Sequence, residues 1–196
     1  MTLAELIAEV YTITGRSDRS AETSLAIRSA TLKAHHSDYY YKDIFETGID
    51  FSISATVQDL DYRNIIPKWR ALKYLRKYDL VNAAPGRELD IVLPEQIFDR
   101  YSTQKADICY VAGAYVHINS SDAQQYYLLG CYVNPDITDA GYSSWIALDH
   151  PYAIVMDAAA TVFKSIGKDE EAAAYRTLVA EQIMMLKMTN VVAVGY

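Results

Sequence analysis

At 196 residues and 22.0 kDa, with 51% apolar side chains, the chain is long enough to bury a sizeable core and is not composed like a disordered one. A net charge of −7 and a pI near 5.0 argue against a protein that grips nucleic acid by its phosphates. No apolar run approaches the roughly eighteen residues that a membrane span needs, and the chain does not open like a signal peptide, so a soluble protein made in the cytoplasm is expected.

The chain begins with Thr2-Leu3-Ala4-Glu5, a capping box, followed by Leu3, Leu6, Ile7, Val10 and Tyr11 on one helical stripe that Gly15 ends. A polar turn leads to a second helix from Ser20 to His36, with Ala21, Leu25, Ala26, Ile27 and Leu32 as its apolar positions. From Ile49 to Val57 the period becomes two, which predicts a half-buried strand. Asp59 to Pro67 reads as a loop with one helical turn, and Arg70 to Tyr78 as a strand. A turn at Ala83-Ala84-Pro85-Gly86 precedes a strand at Leu89 to Leu93 and a helical turn at Pro94.

Asp107 to Ala112, Tyr115 to Asn119 and Gln125 to Val133 then read as three strands of a meander, broken at Gly113 and at Ser120-Ser121-Asp122. The last strand is apolar on both faces and therefore needs cover on both, which a neighbouring subunit would help supply. After a polar return from Asn134 to Ser144, Pro151 starts a helix, Gly167 ends it, and Asp169 opens another that runs to about Met188 with Leu178, Ile183, Met185 and Leu186 facing inward. Val191-Val192-Ala193-Val194-Gly195-Tyr196 follows as an apolar tail.

The expected architecture is α+β. A discontinuous helical bundle, residues 1–45 and 144–188, carries a β-rich insertion over 46–143 and an extended tail over 189–196.

Candidate chemistry is sparse. His35, His36 and Asp38 are the nearest thing to a metal site, but adjacent helical histidines diverge by about a hundred degrees. Asn134 to Gly141 is oxygen-rich yet lacks the spacing of a calcium loop. Ser143-Ser144 and Asp149-His150 lie close in sequence without a nucleophile elbow, and no nucleotide fingerprint occurs. No cofactor and no metal is expected. Cys109 and Cys131 read as free thiols. The basic run Lys68 to Lys77, interleaved with Trp69, Tyr74 and Tyr78, suits either stacked bases or a charged strand edge, and the overall acidity favours the edge. Tyr outnumbers Phe 17 to 4, and Tyr enrichment is a property of interface cores. Trp69, Tyr74, Tyr126, Tyr127 and Tyr132 are the candidate interface residues.

The layout resembles the phage head-to-tail adaptors, also called connector or tail-accessory proteins and, in short-tailed phages, tail tubular protein A. The stretches that carry the likeness are Thr2-Leu3-Ala4-Glu5 to Lys33, Ile66-Pro67-Lys68-Trp69-Arg70, and His150-Pro151-Tyr152-Ala153-Ile154 through Ala172-Ala173-Ala174-Tyr175. The resemblance implies a non-enzymatic virion protein at the head-to-tail interface. It would assemble as a ring of copies, usually twelve, beneath the portal protein. It would bind a downstream nozzle or tail-tube protein and let genomic DNA pass through its lumen. Val191, Val192, Ala193, Val194, Gly195 and Tyr196 would then dock on the portal, as extended apolar tails do by strand addition or by filling a groove. The alternatives are a small cell-wall-active hydrolase using Asp136, Asp139 or Asp149, and a monomeric binding module.

Overall fold

A computed structural model describes residues 1–80, 83–98 and 103–194. The protein is mixed α+β and divides into two compact units, Met1–Asp43 with Asn134–Tyr196, and Ile44–Val133.

In the first unit Thr2 caps helix α1 (Leu3–Thr14): its hydroxyl accepts from the Glu5 amide at 3.3 Å while Glu5 accepts from the Thr2 amide at 2.8 Å. Gly15, at φ 65°, closes the helix in the left-handed conformation that glycine adopts without strain. Helix α2 (Ser20–His35) buries Thr23, Ala26, Ile27, Ala30, Thr31, Ala34 and His35, a continuous stripe of the helical period made mostly of small and polar residues. Leu25, expected in the core, is 68% exposed instead, because its position falls opposite that stripe.

A short helix α3 (Tyr62–Ile65) belongs to the second unit. Helix α4 (Trp145–Asp149), which the sequence pattern did not announce, is capped by the Ser144 hydroxyl accepting from the Ala147 amide at 3.2 Å. Helix α5 (Tyr152–Ser165) is buried nearly all round, with Ala153, Ala158, Ala159 and Ala160 letting α1, α2 and α6 approach closely and Ile154, Val155, Val162 and Phe163 filling the gaps between them. Each large side chain buried there stabilises by about 1.5–3 kcal/mol before ordering entropy is subtracted. The second segment of this unit begins at Asn134, earlier than the helical pattern indicates. Arg28 pairs with Asp139, and the Thr31 and Tyr142 hydroxyls meet at 2.7 Å, so the return loop is bound to α2.

Helix α6 (Asp169–Val194) turns Ala172, Val179 and Leu186 inward, flanked by half-buried Tyr175 and Ile183. Leu178 and Met185, expected to face inward, lie on the opposite side at 39% and 51% exposure. The extended tail expected from residue 189 is also corrected: Val191, Val192, Ala193 and Val194 continue the helix. Asn190 holds the last turns in place, accepting from the Tyr41 amide at 3.1 Å and donating to the Tyr39 carbonyl at 3.3 Å. Valines lower helix propensity by only a few tenths of a kcal/mol each, too little to melt a helix so anchored. Gly195 and Tyr196 lie outside the described residues.

The second unit is built along one strand. Its elements are β1 (Ile44–Asp61), β2 (Trp69–Asp79), β3 (Ala84–Glu88), β4 (Asp90–Ile91), β5 (Ile108–Ala112) and β6 (Tyr115–Val133). Along one edge β6 pairs antiparallel with β1 over nearly its whole length; the other edge takes β2 at one end and β5 at the other. The expected meander is therefore corrected: Ser120-Ser121-Asp122 does not turn the chain but sits in a register shift within one long strand. A matching shift interrupts β1 between Asp50 and Ala55.

These two irregularities solve a parity problem. Core residues are Ile49 in the first part of β1 and Leu60 in the second, Val116 and Ile118 in the first part of β6 and Tyr127, Leu129 and Cys131 in the second. Odd and even positions exchange in both strands across the bulges, so one core is kept along the whole ribbon. Ile53 and Val57, expected to be buried by simple alternation, are 73% and 60% exposed for this reason. The cover expected for the apolar end of β6 is present within the chain: Gly130, Cys131 and Tyr132 are all buried. A Cβ on Gly130 would run into the Tyr74 ring, so glycine is required there for Tyr74 to lie across the strand.

Candidate functional site

Two clusters of chemically capable side chains emerge, and neither was visible as a sequence motif. In the helical unit His35 Nδ1 lies 2.8 Å from an Asp43 carboxylate oxygen and Nε2 lies 2.9 Å from the Ser144 hydroxyl. The connectivity is that of a hydrolase triad. Its surroundings are not: the three residues are 1%, 3% and 5% exposed. The Trp145 indole donates to the same Asp43 oxygen at 2.7 Å, and the Ser144 oxygen already accepts the α4 capping bond. With Nδ1 carrying the proton, every donor in the chain from Ala147 through Ser144 and His35 to Asp43 finds an acceptor. The cluster is a sealed polar core joining residues 35, 43 and 144.

The sequence had grouped His35 with His36 and Asp38, and Ser144 with Asp149 and His150. His36 instead bonds Asn134 at 2.7 Å, and no group of three metal-capable side chains forms among the described residues. The signal that was available is the small-residue stripe of α2, which places His35 on the buried face and His36 off it.

In the β unit Asp107 is the hub. It takes Lys77 at 2.8 Å, Arg87 at 3.1 Å, and both the amide and the hydroxyl of Ser121 at 2.9 Å. The Lys77 hydrogen bond, followed by the Ser121 amide, holds the carboxyl down at about 2. Asp107 sits at φ 56°, a left-handed conformation that aspartate tolerates better than most residues. Lys77 also reaches the Ser121 hydroxyl at 3.2 Å, the pairing of a serine–lysine dyad. Burial works against its charge, but hydrogen bonds to Asp107 and Asp122 raise its pKa above the ordinary lysine value. A lysine held as a cation does not serve as the base for that serine.

The carboxylates singled out for hydrolysis are each engaged locally. Asp139 pairs with Arg28, Asp149 with Lys42 at 2.6 Å, and Asp136 accepts from the Thr138 amide and hydroxyl at 2.9 and 2.8 Å.

The candidate interface residues separate into two groups. Tyr127 and Tyr132 are core, 1% and 7% exposed. Trp69 stacks on Tyr62 at 4.5 Å, and Tyr74 donates to Glu46, with burial and then that carboxylate raising its phenol to about 12. Trp69, Tyr74 and Tyr126 remain partly exposed. The larger apolar surface lies elsewhere, on the outward side of α6, where Leu178, Met184, Met185 and Met188 are between 39% and 65% exposed. No protein-family model matches the chain, and no curated protein matches it. Among the described residues no helix is long and apolar enough to cross a membrane.

Proposed function

We propose that this chain is a structural head-to-tail adaptor of a phage virion, forming a ring beneath the portal that extends the DNA channel and offers a platform for the next tail component. The observation that carries the reading is the outward face of α6. Leu178, Met185 and Met188 follow one another at helical spacing on the side away from the core, with Met184 beside them, so the second half of this long helix exposes a run of large apolar side chains among its polar ones. Apolar side chains exposed together in this way mark a contact with a partner. Methionine, flexible and polarisable, suits a contact that must form between identical or differently shaped neighbours.

In this reading the helices from the two ends of the chain form one discontinuous bundle, and α6 supplies the contact between neighbouring copies. The segment Val191 to Tyr196 docks on the portal, and its first four residues, Val191 to Val194, do so as part of a helix rather than as an added strand. A net charge of −7 per copy keeps the lumen from holding DNA phosphates. No reaction and no cofactor is part of this role. The hydrolase reading is the weaker one, since Asp136, Asp139 and Asp149 are each engaged with a partner and the triad-like cluster is sealed from solvent.

Electron microscopy of the purified protein mixed with its cognate portal tests the proposal. A ring of added density on the narrow end of the portal is expected, lost when residues 191–196 are deleted. Portal particles without added density would end the adaptor reading.

A further inference from the structure

Beside the bulges of the β unit lies a cavity of about 440 Å³, lined by Gly48, Ile49 and Asp50 of β1, Tyr78 of β2 and Leu80 just beyond it, and Tyr126, Tyr127 and Leu128 of β6. We propose that this cavity is a receptor for an organic cation with an apolar stem, an arginine side chain presented by a partner protein.

Three features support the assignment. The first is charge. Asp50 is exposed and accepts one hydrogen bond, from the neutral amide of Gln125 at 3.1 Å, and no salt bridge among the described residues neutralises it. β1 as a whole carries Glu46, Asp50, Asp59 and Asp61 and no basic residue. A cation entering beside Asp50 therefore meets an uncompensated carboxylate.

The second is the wall. Tyrosine rings attract a cation through their negative faces, and Ile49, Leu80 and Leu128 provide apolar surface for an aliphatic stem. Guanidinium is the better match than ammonium, because it is planar, weakly hydrated and able to stack while it pairs with a carboxylate.

The third is construction. The Gln124 side-chain amide donates to the carbonyls of both Tyr78 and Tyr126 at 3.0 Å, tying the end of β2 to β6. Gln125 fixes Asp50. Both glutamines lie where the register of β6 shifts against β1. Two adjacent residues thus hold the tyrosine-bearing strands and the carboxylate in a set geometry. Gly48 leaves open space where a Cβ would stand, so the mouth is not obstructed on that side.

The test is nuclear magnetic resonance titration of the full chain with N-acetyl-arginine methylamide and, in parallel, with its neutral citrulline counterpart. Shifts of the Tyr78 and Tyr126 ring protons are expected with the arginine compound and are expected to be at least fivefold weaker with citrulline. Asp50→Asn should weaken binding by about threefold to fivefold, the upper part of the range of a single exposed charge pair. Glu95→Gln, which removes the same charge from a residue outside the cavity, should leave binding within twofold. Gly48→Leu should occlude the cavity and abolish the ring-proton shifts while the thermal melt stays that of a folded protein. Equal binding of citrulline, or equal losses from Asp50→Asn and Glu95→Gln, would overturn the assignment. So would a dimer or larger oligomer of the chain alone that Asp50→Asn dissolves, since the occupant would then be a second copy.

Discussion

The two units bury carboxylates in opposite ways. Asp43, in the helical unit, is surrounded by imidazole and indole donors inside an otherwise apolar core. Asp107, in the β unit, collects two cations and a serine beside the register shift of β6. Helices packed through alanines already fix their neighbours, and one buried polar cluster specifies which loop ends meet. A bulged sheet loses ladder hydrogen bonds where its register shifts, and a charged hub restores the lost cohesion there.

Each unit carries one of the chain's two tryptophans, Trp145 against Asp43 and Tyr40, and Trp69 on Tyr62. Fluorescence in Trp69→Phe and Trp145→Phe backgrounds therefore reads the two units separately. The largest effect is expected from His35→Ala, which leaves Asp43 and Ser144 buried with a partner missing and should cost about 3 kcal/mol in denaturant unfolding followed by Trp145. Gly130→Ala should cost about 2 kcal/mol in the unfolding followed by Trp69, because the new methyl displaces the Tyr74 ring and with it the bond to Glu46. If His35→Ala shifts the Trp69 transition as much as the Trp145 transition, the units unfold as one and the contrast between them disappears.

Acid separates them further. The Asp107 carboxyl is lowered from its ordinary 3.8 to about 2 in the fold, so its contribution is complete above about pH 5 and is lost as pH falls through 2. Discounted for solvent, it amounts to about 1 kcal/mol. Asp107→Asn should remove that much stability at neutral pH and flatten the Trp69-monitored stability curve between pH 4 and 2. A curve that keeps its acid slope in the variant would place the titrating group elsewhere.

What could be read in the sequence follows from how each signal is encoded. The Thr2 cap, the glycine ends at Gly15 and Gly167, the helical turn before Pro67 and the proline start of α5 are local chemistry, and all stand in the structure. The face of α2 was found only in part: Ala26 and Ile27 are buried as expected, but most of the buried stripe is threonine and alanine, while the conspicuous Leu25 points away. The long strand β6 was cut in two because Ser120-Ser121-Asp122 has the composition of a turn, and a bulge uses the same residues. The triad-like cluster was hidden by distance, its serine standing more than a hundred positions from its histidine. The tail was taken as extended because nothing in Val191 to Val194 reveals that Asn190 is held by Tyr39 and Tyr41.

The most direct test of a ring built through α6 is the double variant Met185→Glu and Met188→Glu. Both side chains are more than half exposed, so thermal stability should change by no more than about 0.5 kcal/mol. Electron microscopy with the cognate portal should then show bare portals, where the unmodified protein gives an added ring. Rings of unchanged occupancy from the double variant would contradict assembly through this face.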